Sequence, residues 1–139
     1  MRALDISASA LEAQRIRMEV ASHNLANVQT TRGSKAADGT FLPYRRRQVV
    51  FHSLLEQGLR GPVGAGVAVD RIEEDRTEFR LEHNPGHPDA DAQGYVKMPN
   101  VDPLLEMVDL MEASRAYEAS VTAMDAAKTM SAAAMRLLA

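Results

Sequence analysis

Asp102-Pro103-Leu104-Leu105-Glu106-Met107-Val108-Asp109-Leu110-Met111 is the stretch whose reading decides the fold. Asp102 can cap a helix, Pro103 suits the first helical position, and Glu106 lies in the first turn, where its charge meets the positive end of the helix dipole. From there a 3-4 spacing runs to the end of the sequence. Met107, Leu110, Ser114, Tyr117, Val121, Met124, Lys128, Ser131, Met135 and Leu138 follow one seam, and seven of these ten are apolar, as on the face of a coiled coil. Leu104, Val108 and Met111 add a flanking stripe over the first half. Such a helix is roughly 55 Å long at the α-helical rise, more than a globular core of this size encloses, so part of it needs a partner outside its own fold.

The other end of the chain answers it. A helix is expected from about Ala3 to about Asn27, with Leu4, Leu11, Met18 and Leu25 recurring every seven residues and Ile6, Ala10, Ala13 and Val20 on a neighbouring face. Gly33 and the polar run from Thr30 to Thr40 close it into a loop. The middle reads as short strands: Phe41 to Phe51, then a break at Gly61-Pro62-Val63-Gly64-Ala65-Gly66, then Val67, Val69 and Ile72. Thr77 to Glu82 alternates as a half-buried strand does, and His83 to Gly94 is a loop. Tyr95-Val96-Lys97-Met98 is a last strand, stopped by Pro99. The expected class is α+β. Residues 1–32 and 100–139 form one unit of two long terminal helices, pairing antiparallel as a coiled-coil-like hairpin. Residues 33–99 form a small antiparallel β-rich insert between them. Each helix then keeps an apolar stripe with nothing intramolecular to cover it, which marks an interaction surface. Subunits covering each other's stripes head to tail build an open assembly rather than a closed dimer.

Composition narrows the function classes. The 139 residues carry a net charge of −3, against non-specific nucleic-acid binding. There is no cysteine, so thiol nucleophiles, thiolate metal sites and disulfides are excluded together. Met1-Arg2-Ala3-Leu4-Asp5-Ile6 places an acid where the apolar part of a cleavable signal should begin, and no stretch has the length of a membrane span. His83, His87, Asp89 and Asp91 could ligate a metal, but Pro85, Gly86 and Pro88 forbid the helical presentation; a rigid turn is the better reading. Arg45-Arg46-Arg47 is too short a basic run for a nucleic-acid patch, and reads as a solvated or intersubunit face. The Met-rich stripe reads as packing rather than a ligand site, with Lys128 the polar exception that could fix register. Asn24 and Asn27 have no nucleophile beside them, and cap the helix end or bond a neighbouring chain. No serine has a His and Asp partner set, and no Gly-rich phosphate loop precedes a helix. No enzyme, cofactor or metal is expected.

The motif Asn24-Leu25-Ala26-Asn27, preceded by Ala10-Leu11-Glu12-Ala13-Gln14-Arg15, resembles the rod and hook axial proteins of the bacterial flagellum. A second block is sharper: Asn84-Pro85-Gly86-His87-Pro88-Asp89-Ala90, then Gly94 to Asp102, Glu106-Met107, and Ala113-Ser114-Arg115-Ala116-Tyr117-Glu118-Ala119. With Tyr44-Arg45 and Val49-Val50-Phe51, that series is similar to the proximal-rod members of the family. After Asn27 the chain lacks the Gly-Tyr that hook and distal-rod members often carry. The resemblance implies export through the flagellar type III apparatus without cleavage. It also implies polymerisation, with itself and other rod proteins, into the rod that crosses the periplasm and transmits torque. It implies neither nucleic acid nor membrane insertion. The residues expected at subunit contacts are Leu4, Leu11, Met18 and Leu25, with Asn24 and Asn27, on the first helix. On the second they are Met107, Leu110, Tyr117, Val121, Met124, Lys128, Met135 and Leu138. The competing reading is a cytoplasmic coiled-coil adaptor or export-chaperone-like protein forming a small closed oligomer.

Overall fold

The 3-4 spacing from Pro103 onward is realised as one uninterrupted helix. In the computed structural model, which describes residues 2–37, 39–58 and 61–138 (without the side chains of residues 2, 58, 62, 137 and 138), the order is α1 (Arg2–Ala26), β1 (Ser34–Lys35), β2 (Phe41–Leu42), β3 (Arg47–Gly58), β4 (Gly61–Glu74), β5 (Arg80–His83), β6 (Tyr95–Met98) and α2 (Pro103–Leu138). Asp102 caps α2 as its chemistry dictates, its Oδ1 accepting from the Leu104 amide at 2.9 Å and its carbonyl from the Glu106 amide at 3.1 Å. The fold is mixed α+β. The strands form three separate two-stranded antiparallel sheets, β1-β2, β3-β4 and β5-β6.

α1 is the element on which the others lean, touching α2 and both strands of the β3-β4 hairpin. Asn24 meets Glu106, while Arg17 meets Asp109 and Glu112. Numbering therefore falls along α1 as it rises along α2, and the two helices run in opposite directions where they touch.

The contact face of α2 is turned relative to the expected seam. Most of the buried and half-buried positions recur at Glu106, Leu110, Ala113, Tyr117, Ser120, Met124 and Ala127, with Pro103, Asp109, Ser114 and Ala116 half-buried beside them. Leu110, Ser114, Tyr117 and Met124 belong to both sets, whereas Met107, Val121, Lys128, Ser131 and Met135 are exposed. Small residues cause the rotation. Ala13 and Ala21 on α1 and Ala113 on α2 are 2%, 4% and 0% exposed, and small side chains let helix backbones approach where Leu and Met would hold them apart. Ala127 is the last half-buried position of α2, and residues 128–136 are all exposed. About 14 Å of helix, residues 128–136, thus runs on past the contact with α1.

The insert departs from its expected layout. The glycine-rich segment from Gly61 to Gly66, expected to break the chain, lies inside β4. Register shifts between Val50 and Phe51 and between Leu54 and Leu55 place the extra residues Asp70 and Ala65 in β4 as bulges. Gly66 sits at the second bulge with φ of 135° and lies against α1, where the Val67 amide donates to Ser9 Oγ at 3.2 Å. The expected strand at Thr77 to Glu82 starts only at Arg80, and β5 is exposed throughout. Phe79, its intended apolar anchor, instead lies under the Arg45 guanidinium, 4.3 Å from the ring centroid. The strand expected from Phe41 is interrupted after Leu42, and β3 begins at Arg47.

The buried apolar set among the described residues is small: Ala13, Ala21, Tyr44, Val96, Val101 and Ala113. The chain exposes 9788 Å², against about 7,100 Å² for a compact monomer of its mass. The surplus of about 2,700 Å² on one chain is at or above the roughly 1,000–2,500 Å² that each partner contributes to an obligate interface.

Gly33 marks one place where the fold tolerates no side chain. Its amide donates to the Leu42 carbonyl at 2.8 Å, and a Cβ there would stand 2.7 Å from both the backbone N and Cα of Tyr44. Gly33→Ala is expected to lower unfolding stability by about 1–3 kcal/mol in urea denaturation; an unchanged midpoint would mean the Tyr44 backbone is free to move.

Candidate functional site

A buried polar junction ties three distant parts of the chain together. Asn24, 1% exposed on the last turn of α1, uses both ends of its amide. Its Oδ1 accepts from the Tyr44 hydroxyl at 2.8 Å and the Arg47 amide at 2.9 Å, while its Nδ2 donates to the Arg47 carbonyl at 2.8 Å and Glu106 Oε2 at 3.0 Å. Glu106, 2% exposed in the first turn of α2, accepts on its other oxygen from Arg46 Nε at 2.5 Å. Arg46 also reaches Asp109 at 3.3 Å, and Arg17 of α1 reaches the same Asp109 at 2.7 Å. Asn100 completes the frame, accepting from the Arg46 amide at 2.8 Å and donating to Thr77 Oγ1 at 2.8 Å.

The electrostatics suit a fixed framework. Burial pushes the Tyr44 phenol up, so it stays a neutral donor to Asn24. Burial works to lower the Arg46 guanidinium, but the hydrogen bond and charge of Glu106, with Asp109 and Asp75, outweigh it and raise it. His23 Nδ1 lies 3.0 Å from the Tyr44 oxygen. The hydroxyl proton is committed to Asn24, so His23 is the donor there.

Each sequence-derived candidate now has a place. Asn24, expected at a subunit contact, has every amide bond inside its own chain. Asn27 closes α1, its Nδ2 donating to the His23 carbonyl at 2.9 Å and its Oδ1 accepting from Thr30 at 3.2 Å. The arginine run, read as a solvated or intersubunit face, is divided. Arg46 enters the junction, Arg45 covers Phe79, and only Arg47 stays exposed. In the histidine loop Asp89 is held by Arg32 at 2.6 Å and Thr31 at 2.9 Å. Asp91 Oδ1 caps the turn, accepting from the Gln93 and Tyr95 amides at 2.8 and 2.9 Å. Among the described residues no group of three His, Asp or Glu is placed to hold a metal ion, and no helix is long and apolar enough to cross a membrane. Leu4, Leu11, Met18 and Leu25 are half-buried on α1. Lys128 lies on the exposed extension of α2, its ammonium 4.0 Å from Asp125. The Leu138 side chain lies outside the described residues.

Sequence reading missed Glu106 and Arg46. Glu106 looked like an ordinary first-turn acid. The signal that could have found it is the 3-4 spacing itself, since Glu106, Leu110 and Ala113 continue the seam as evenly as Met107, Leu110 and Ser114 do.

The face of α2 away from the junction is apolar and uncovered. Leu104, Leu105, Met107, Val108 and Met111 are 72%, 61%, 52%, 44% and 55% exposed. Val121, Met130 and Met135 extend this exposure along the helix, and Phe51, Leu55, Val63 and Ile72 add to it on the hairpin. No catalytic set of side chains accompanies these surfaces among the described residues. The arrangement is one rigid joint carrying bare apolar faces, which is the anatomy of an assembly subunit.

Comparison with known proteins agrees with that class. Residues 4–33 match the family model described as flagella basal body rod protein, and residues 92–137 match that of the flagellar basal body rod FlgEFG protein C-terminal region. These segments hold most of α1 and all of α2 but its last residue. The chain is 52% identical over 136 residues to the flagellar basal-body rod protein FlgC of Bacillus subtilis, covering 91% of this chain and 90% of that protein. It is 38% identical to the protein of that name from Borreliella burgdorferi, covering 97% and 95%, and 44% identical to that of Salmonella typhimurium, covering 91% and 88%. The chain belongs to the FlgC family of flagellar basal-body rod proteins.

Two outcomes test the junction and the loop beside it. Glu106→Ala strips Arg46 and Asn24 of their shared acceptor, and is expected to destabilise the chain by about 3 kcal/mol in denaturant titration. A loss under about 0.5 kcal/mol would show that Asp109 and Asp75 replace it fully. Hydrogen bonds from Arg32 and then Thr31 hold the Asp89 carboxyl below its ordinary 3.8, and those from the Tyr95 and Gln93 amides do the same for Asp91. A carboxyl depressed by folding contributes stability above its unfolded value and loses it as pH falls through the folded one. The loop is therefore expected to hold at neutral pH and loosen only below about pH 4. Arg32→Ala should return the Asp89 titration toward 3.8 in a carboxyl NMR titration.

Proposed function

We propose that the chain is a structural subunit of the flagellar basal-body rod, built into it through the faces of α1 and α2 that its own fold leaves bare. The observation that carries this reading is the apolar surface of α2 from Leu104 to Met111, with Val121, Met130 and Met135 also exposed further along the helix. It lies on a chain whose relatives are named flagellar basal-body rod proteins. Residues 1–32 and 100–139 act as one helical unit, a coiled-coil-like hairpin completed by neighbouring helices, and 33–99 as an insert set against it. Met107, Val121, Lys128 and Met135 contribute to subunit contacts directly. Leu4, Leu11, Met18, Leu25, Leu110, Tyr117 and Met124 contribute through their half-buried faces.

Copies of this chain and other rod proteins are the partners of these faces. Passage through the flagellar type III export apparatus before assembly suits helices that gain most of their stability from packing. Torque crosses the periplasm through the assembled rod. The chain has no catalytic task in this scheme. The adaptor reading finds no support among the named relatives.

Leu104→Asp and Val121→Asp place a charge on exposed positions, so each chain is expected to keep its helical circular dichroism. Cells carrying either are expected to yield few complete basal bodies and to spread at least about tenfold less in soft agar, as an unpaired charge in an apolar contact costs several kcal/mol. Normal rods from both variants would sink the reading.

A further inference from the structure

The methionines of α2 are a second chemistry on the same surface. The chain has eight methionines, no cysteine and no tryptophan, so thioethers are its most reactive groups toward two-electron oxidants. Met18, Met98 and Met124 are half-buried, whereas Met107, Met111, Met130 and Met135 are exposed. Met107 and Met111 stand one turn apart at i, i+4, beside Leu104 and Val108, with no polar partner among the described residues. Met130 and Met135 stand on the extension among Ser131, Ala132, Ala133 and Ala134.

We infer that Met107 and Met111 form a reversible oxidation site that controls whether the free subunit can assemble. The inference rests on the rod-subunit reading and assigns a regulation to its contact face. The oxidant class is hypohalous acid. The thioether sulfur gains the oxygen of hypochlorous acid and loses two electrons, and the chlorine leaves as chloride with release of a proton. Reduction by a dithiol reductase reverses the step: two thiols become a disulfide and the oxygen leaves as water. The change turns a soft apolar side chain into a polar one carrying a strong acceptor. On this face that acceptor sits among Leu104 and Val108, with Arg115, one turn beyond Met111, the nearest side-chain donor on the helix. Assembly covers the pair, so the site is open only before the subunit is built in.

The first experiment treats the purified full chain and intact basal bodies with limiting hypochlorous acid and maps sulfoxides by peptide mass spectrometry. In the free chain Met107 and Met111 are expected to convert at least about fivefold faster than Met98 and Met124, and in basal bodies to be protected by a similar factor. Equal rates at buried and exposed positions in the free chain, or no protection in basal bodies, would overturn the inference. The second uses Met107→Gln with Met111→Gln, which mimics the polar sulfoxide while keeping a good helix former, beside the parent chain oxidised before assembly. The Gln pair is expected to keep the circular dichroism of the parent and to reduce basal-body yield at least about tenfold, and the oxidised parent to lose yield by a similar factor and regain it after treatment with a methionine sulfoxide reductase. Normal yield from the Gln pair would refute the control while leaving the rod-subunit reading to the separate outcome of Leu104→Asp.

Discussion

The four hydrogen bonds of the Asn24 amide are what the rest of this fold depends on. They join the end of α1 to the entry of β3 and to the first turn of α2, segments more than 20 and more than 80 residues away. A chain that buries six apolar residues among those described cannot fix the relative setting of its elements by hydrophobic packing alone. A fully satisfied polar cluster can, because it accepts one geometry and penalises its neighbours. Arg46 and Arg17 extend the cluster to Asp109, so that both partners of the helix pair are gripped near the start of α2.

This division explains how one chain can be rigid and sticky together. The specificity of the internal joint comes from polar groups used up inside it, and the large apolar residues are left for the outside. Leu104, Met107 and Met111 are more exposed than a core residue would be, while Ala13, Ala21 and Ala113 are buried. The usual assignment of big residues to the core is inverted on α2. The surplus accessible surface measures the consequence.

Much of this was legible in the sequence. The capping signal at Asp102 and Pro103 placed α2 correctly, and the heptads of α1 placed that helix to within a residue, because both signals are local. The α+β class followed from them. The rotation of the α2 seam was not legible, since periodicity weighted by size favours Met107 and Val121 over Ala113 and Ser120. The junction was hidden for another reason: Arg46 and Glu106 are unremarkable in their own neighbourhoods, and the partners of Asn24 lie far from it in the chain, so the three acquire their joint meaning only when folding brings them together. The glycines of β4 misled for a third reason. A glycine that admits a bulge and a close approach to Ser9 has the same spelling as one that ends a strand.

The polar ties between α1 and α2 stop at Glu112 among the described residues, and from Ala113 through Ser114, Tyr117, Ser120 and Met124 to Ala127 no hydrogen bond or ion pair crosses between the helices among them. Mechanically the pair is a tuning fork clamped at its stem. A shearing load applied along the subunit is resisted at the clamp, where a slip of one residue would break several directional bonds. At the free tines the same load meets only smooth contacts that can slide by a fraction of an ångström and return. Compliance is therefore graded along the helix pair, stiff where the directional bonds lie and yielding where they are absent.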